Sequence, residues 1–279
     1  MDCKRIVASA FIAVVFLLAF TLSRNGELVA QTPDQGDPAI AQNADTIEAV
    51  PNRPTFSTTA ETVMRGVFEI EDGFELARGH QNINGLYKFG LFKNLEMRFG
   101  NNPIVREGGV AGFGDSNAGF KFRFLKDKGF LPTLSILYTV TIPTATAGLG
   151  SGAVGHSAGL LVSRDFGKHH LDFNETVQFL GRDGAKGFDR NYFTALSYSY
   201  QIAGKLGFSE EISGFSRTNA QTGATLTALQ SLSYSVSPRL VLDGGCYIAI
   251  MGDLPRVTFF SGITYSVGNL YRYLRQSHR

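Results

Sequence analysis

The sequence predicts an all-β fold: a transmembrane, antiparallel, up-and-down β-barrel of about twelve strands. Three observations predict it. Between residues 62 and 267, apolar and polar residues alternate in segments of roughly ten. Tight polar turns and longer glycine-rich loops take turns separating those segments. A short apolar stretch behind two basic residues opens the chain, in the manner of an export signal. The three belong together, because a closed sheet satisfies its backbone hydrogen bonds in lipid without helices.

Residues 1–30 read as a signal peptide. Lys4 and Arg5 precede the apolar run Ile6 to Leu22, and Leu28-Val29-Ala30 supplies a small residue before the cut, with Ala39-Ile40-Ala41 as a second site. An uncleaved anchor is the alternative, and the apolar run is short for it. No later stretch approaches 18 consecutive apolar residues. Residues 31–57 are rich in Pro, Gln, Asp and Ala, with no apolar period. They read as a disordered periplasmic linker, too poor in core residues to plug a barrel.

Residues 58–267 hold the strands, expected near 62–76, 82–92, 95–101, 115–125, 131–142, 153–164, 168–180, 189–200, 205–215, 223–235, 239–250 and 255–267. Phe120, Phe122 and Phe124 share one parity, as do Leu134, Ile136 and Tyr138, and the opposite parity is polar or small, as in Ser231, Ser233 and Ser235. Connections such as Lys93-Asn94, Ala203-Gly204 and Ser237-Pro238 are tight, whereas 102–114, 143–152, 181–188 and 216–222 are longer. A soluble β-sandwich or periplasmic barrel would share the alternation. Large aromatics on one parity, Gly, Ser and Thr on the other, and membrane-spanning strand lengths favour the membrane. Glu175 and Glu210 fall on the apolar parity, which requires either a bulge or a rim position. Residues 268–279 form a basic C-terminal tail where many barrels end on Phe.

The composition narrows the function. Of 279 residues, 43% are hydrophobic and 18% charged, and the net charge is +2, so no field draws in nucleic acid. The 32 glycines and 23 phenylalanines suit barrel corners and interfacial girdles. Of the two cysteines, Cys3 leaves with the signal and Cys246 stands alone, a small hydrophobe on a strand.

The runs GVFEIEDGF (66–74), INGLYKFGLFKNLEMRFG (83–100), GFGDSNAGFKFRFL (112–125) and SILYTVTIPTATAGLG (135–150) resemble the bacterial outer-membrane transporters of the phenol-degradation MetA-pathway family. The most specific elements are the Gly-Leu turn followed by a Leu-Glu-x-Arg strand, and the strand ending in Ile-Pro-Thr. The resemblance spans most of residues 56–267. It implies passage of small, often aromatic or hydrophobic compounds through the outer membrane, and it supplies no catalytic residues.

With the apolar parity toward lipid, Glu69, Glu71, Lys88, Glu96, Arg98, Lys121 and Arg123 point into the lumen. Later strands contribute mainly Ser, Thr, Gly and Ala, so the lumen is expected to be lopsided. One reading is a solute path along the charged wall with a mild preference for anions such as aromatic carboxylates. The other is an ion-pair network that satisfies buried charge.

Other patterns are weak. His156-Ser157 cannot act as base and nucleophile, because adjacent strand residues face opposite ways. His169-His170 lacks further metal ligands nearby in sequence. Gly150 to Gly155 spells GxGxxG, but an alternating strand follows where a dinucleotide site needs a helix. The expectation is therefore a non-enzymatic barrel, without cofactor or metal, that passes small solutes through a narrow or gated path. A structural or adhesive barrel with a filled lumen is the alternative, and a lipid-modifying enzyme the less favoured one. Its partners are solutes and outer-membrane lipid, and the oligomeric state is open.

Overall fold

The computed structural model describes residues 47–217 and 223–276. The expected signal peptide and residues 31–46 of the expected linker lie outside them. Thirteen strands follow in chain order: β1 Val67–Ala77, β2 His80–Phe92, β3 Leu95–Glu107, β4 Val110–Gly112, β5 Ser116–Leu125, β6 Thr133–Ile142, β7 Gly155–Phe166, β8 His169–Gly181, β9 Phe188–Ala203, β10 Leu206–Phe215, β11 Thr225–Ser237, β12 Leu240–Met251 and β13 Val257–Asn269. A short helix, α1, spans Leu270–Gln276.

Setting β4 aside, each strand pairs antiparallel with the next in sequence, β3 with β5 among them, and β1 pairs with both β2 and β13. The sheet thereby closes into a ring of twelve strands, with no edge left to satisfy in lipid. The thirteenth, β4, lies outside the ring. It pairs only with β3, through Val105↔Gly112 to Glu107↔Val110. The long loop expected at 102–114 is thus mostly a hairpin. At the opposite end of the barrel the turns are tight. Gly167 and Gly204 open two-residue turns at φ 65° and 49°, the left-handed geometry that joins twisted strands with least strain.

The alternation resolves into two surfaces. Phe122, Leu160, Leu232 and Ile248 point outward and stay between 43% and 50% exposed, the arrangement of a lipid-facing belt. The inward parity is buried and polar, with Ser135, Lys121, Thr264 and Ser266 all at 0%.

Three elements differ from the sequence reading. The chain from 47 to 66 is neither linker nor strand but lies inside the ring, so β1 begins five residues later than expected. The C-terminal tail starts as the end of β13 and then turns into α1, whose Tyr271 hydroxyl donates to the Leu91 carbonyl at 2.9 Å. Glu175 and Glu210 sit mid-strand on the outer face, and the β7–β8 and β8–β9 registers run unbroken past Glu175. Neither a bulge nor a rim position explains Glu175. Instead Thr194 on β9 donates its hydroxyl to the Glu175 carboxylate at 2.6 Å. Glu210 stands opposite Gln230 and Tyr198.

Candidate functional site

Residues 47–66 enter the ring at its tight-turn end, where Ala49 N–H donates to the Pro238 carbonyl at 2.8 Å. They return to that end at Gly66, whose N–H donates to Gly90 at 2.6 Å. Between these points the segment is irregular backbone inside a barrel, so its N–H and C=O groups need partners from the wall. The wall supplies them. Carboxylates accept from backbone N–H groups: Glu69 from Val50 at 2.9 Å, Glu71 from Asn52 at 3.0 Å, Glu96 from Val63 at 2.8 Å and Glu211 from Ser57 at 2.7 Å. Lysines donate to its carbonyls: Lys88 to Val50 at 2.5 Å and Lys121 to Thr59 at 3.1 Å. On the far wall, Thr58 N–H reaches Asn174 at 2.6 Å and Ala60 N–H reaches Ser163 at 2.6 Å.

Side chains of the segment are held as well. Arg53 donates to both Asp243 oxygens at 3.2 Å and to Asn84 at 3.1 Å. Glu61 pairs with Arg123 and accepts from the Thr133 hydroxyl at 3.0 Å. Ile47, Val63 and Val67 form a small apolar cluster with Val50 and Met64 packed against it. Ile47 and Val50 of the expected linker thus pack against residues of the expected first strand.

All seven charged residues singled out in the sequence face the interior, in two clusters and one separate pair. Lys88 bridges Glu69 and Glu71, and all three side chains are at most 2% exposed. Glu96 holds Arg98 at 2.9 Å and Lys121 at 3.6 Å. Arg123 stands apart with Glu61 and Asn94. Burying such charges costs several kcal/mol each unless they are paired and hydrogen-bonded, as these are. The lumen is not lopsided as expected: Asp172, Asn174, Glu211 and Asp243 are buried on β8, β10 and β12. Each sits on the inward parity of its strand, as Glu211 does between Ser209 and Ser213, and that parity was the signal available for them.

On the loop side of the segment lies a cavity of about 450 Å³, lined by Arg53, Phe56, Glu75, Asn84, Arg98, Tyr247 and Phe260, among others. Phe56 meets Tyr247 edge-on at 5.0 Å, and Tyr247 stacks on Phe260 at 6.3 Å. A second cavity of about 230 Å³ lies on the other side of Phe56, lined by Leu137, Leu161, Phe193, Phe215 and polar residues. The segment thus occupies the tight-turn side of the lumen, and the larger cavity on its loop side mixes charged and polar residues with Phe56, Tyr247 and Phe260.

His156 and Ser157 point to opposite faces, His156 toward the Tyr138 hydroxyl at 2.9 Å and Ser157 into the second cavity. His169 meets the Tyr198 hydroxyl at 2.7 Å, and His170 pairs with Asp172 at 3.0 Å. No group of three His, Cys, Asp or Glu suited to a metal occurs among the described residues.

Solved structures share this architecture. A NanC porin superposes with a TM-score of 0.56 at 10% identity, covering 72% of this chain and 100% of its own. The COG4313 outer membrane channel from Pseudomonas putida F1 does so at 0.54 and 12%, covering 83% and 99%. A KdgM porin in complex with disordered oligogalacturonate gives 0.51 and 10%, covering 71% and 98%. At these identities the likeness establishes the fold, that of outer-membrane barrels. No curated protein matches the chain. A family model does, over residues 51–269, which take in the inner segment from Pro51 onward and the whole ring, and the chain belongs to the family it describes, "Putative MetA-pathway of phenol degradation".

Proposed function

We propose that this protein is an outer-membrane channel for passive passage of small molecules, aromatic and hydrophobic ones among them, and that residues 47–66 hold it closed. The observation that carries this is the segment 47–66. It crosses a ring that keeps a cavity with Phe56, Tyr247 and Phe260 on its loop side, and wall side chains hold it, not a packed domain of its own. A single irregular strand of chain can leave a barrel without unfolding it. The family and the channel names among the structural relatives support the same reading.

In this reading the signal peptide is removed on export, the tight turns face the periplasm and the longer loops face outward. A solute rests in the cavity against Phe56, Tyr247 and Phe260. Arg98, which lines that cavity, and Lys121 and Arg123 below it give the opened path its anion preference. No residue here acts as a catalyst.

Conductance of the refolded protein in a planar lipid bilayer tests this, alongside a variant lacking residues 47–62. The full chain should conduct rarely and the deletion steadily, with an anion preference that falls when Arg98, Lys121 and Arg123 become Gln. A well-folded deletion variant that passes no current sinks the channel reading. That outcome would favour a structural barrel whose own wall side chains close the lumen.

A further inference from the structure

The two ends of the barrel differ in charge. The tight turns carry Lys93, Lys126, Lys128, Lys168, Lys205 and Arg239 against Asp127. At the loop end the signs are mixed: Arg182 is paired with Asp189 at 2.8 Å, and Asp183 and Asp253 stand among Lys186, Arg217 and Arg256.

One sector of the tight-turn end has more than charge. The turn between β5 and β6 reads Lys126-Asp127-Lys128-Gly129-Phe130-Leu131. Phe130 is 92% exposed and Leu131 53%, and they lie in the turn that follows Phe124, itself 47% exposed at the end of β5. Arg164, on the outer face near the end of β7, lies over the Phe166 ring at 5.2 Å and donates Nη2 to the Gly129 carbonyl at 2.6 Å. Its Nη1 is buried beside the turn with no hydrogen-bond partner. Lys168 follows in the next turn, and Asp165 nearby is engaged by His170 at 2.6 Å.

We propose that the β5–β6 turn and the end of β7 bind the phosphate head group of an anionic phospholipid in the leaflet that the tight turns face. Phe130 and Leu131 enter the acyl boundary, where an exposed aromatic beside lysines is most stable. The exposed Lys126 and Lys128 then face the phosphate, on a turn that Arg164 holds through the Gly129 carbonyl. Lipid is favoured over a soluble anion because the cations border the lipid-facing belt, not the lumen. The proposal rests on the barrel lying in a membrane and not on the channel reading.

The chain has no Trp, so Phe130→Trp places a single reporter at the site. The reporter protein is refolded into bilayers that mix phosphatidylcholine with phosphatidylglycerol, with one or the other lipid brominated as the quencher. A cation near an anionic surface favours it by about fivefold, so brominated phosphatidylglycerol should quench with at least that preference. The preference should fall toward unity with Lys126→Gln, Lys128→Gln and Arg164→Gln combined, or in part with Arg164→Gln alone if the triple variant fails to refold. Equal quenching by the two lipids, or a preference unchanged in the variants, would overturn the proposal. So would absence of quenching by either. Loss of the preference on adding inorganic phosphate at constant ionic strength would assign the site to soluble phosphate and overturn the lipid reading.

Discussion

Arg53, on the inner segment, holds Asp243 of β12 with two parallel bonds, Nε to Oδ2 and Nη2 to Oδ1, both 3.2 Å. Two glycines make room for this. A Cβ on Gly73 or Gly262 would stand 2.1 or 2.2 Å from the Arg53 guanidinium group. The pair is largely buried, and removing one partner of such a pair costs roughly 3–5 kcal/mol. Arg53→Ala should therefore shift the segment markedly toward release, read as a higher open fraction in single-channel records. Gly262→Ala should do the same with all charges in place, because only the flexible end of Arg53 has to move. An unchanged open fraction in both variants would mean that the segment is held elsewhere.

Gly90 provides a steric test at the other end of the segment. A Cβ there would lie 2.1 Å from the Met64 carbonyl oxygen, which is backbone and cannot rotate away. Gly90→Ala should displace residues 63–66 and disturb the Gly66-to-Gly90 hydrogen bond. Limited proteolysis should then cut between 47 and 66, where the native barrel resists.

Lys88 is expected to matter for stability more than for selectivity. It is wholly buried between Glu69 and Glu71 and also donates to Val50. Lys88→Met leaves two carboxylates facing each other without a cation, a loss of about 3–5 kcal/mol. Urea titration of the refolded barrel should show this as an earlier midpoint. Adding Glu69→Gln and Glu71→Gln should restore much of it.

Glu210 makes the opposite prediction. It faces outward at mid-strand and is exposed there, so lipid would surround a carboxylate. Glu210→Leu should stabilise the barrel by about 1–2 kcal/mol in vesicles, since acidic groups on the lipid face cost somewhat less than Arg or Lys. Glu175→Leu should give less, because Thr194 already satisfies that carboxylate. A destabilised Glu210→Leu barrel would show that Glu210 meets a polar partner in the membrane.

Residue type and parity alone determined the barrel, its strand count and the inward direction of the charged residues from Glu69 to Arg123. A period of two admits only two faces, and lipid accepts only one of them. The same parity would have revealed Asp172, Asn174, Glu211 and Asp243, had single polar residues among serines and glycines been weighed. Only the tertiary structure decided what lies against those residues. The segment from Ile47 to Gly66 has no period and few apolar residues, so nothing local distinguishes it from a free linker. Its stability comes from partners up to 208 positions away, such as Ser261, whose carbonyl accepts from Arg53 at 3.3 Å. Contacts of that range exist only after the ring has closed, and that closure turned a wall of charges into a cradle for backbone.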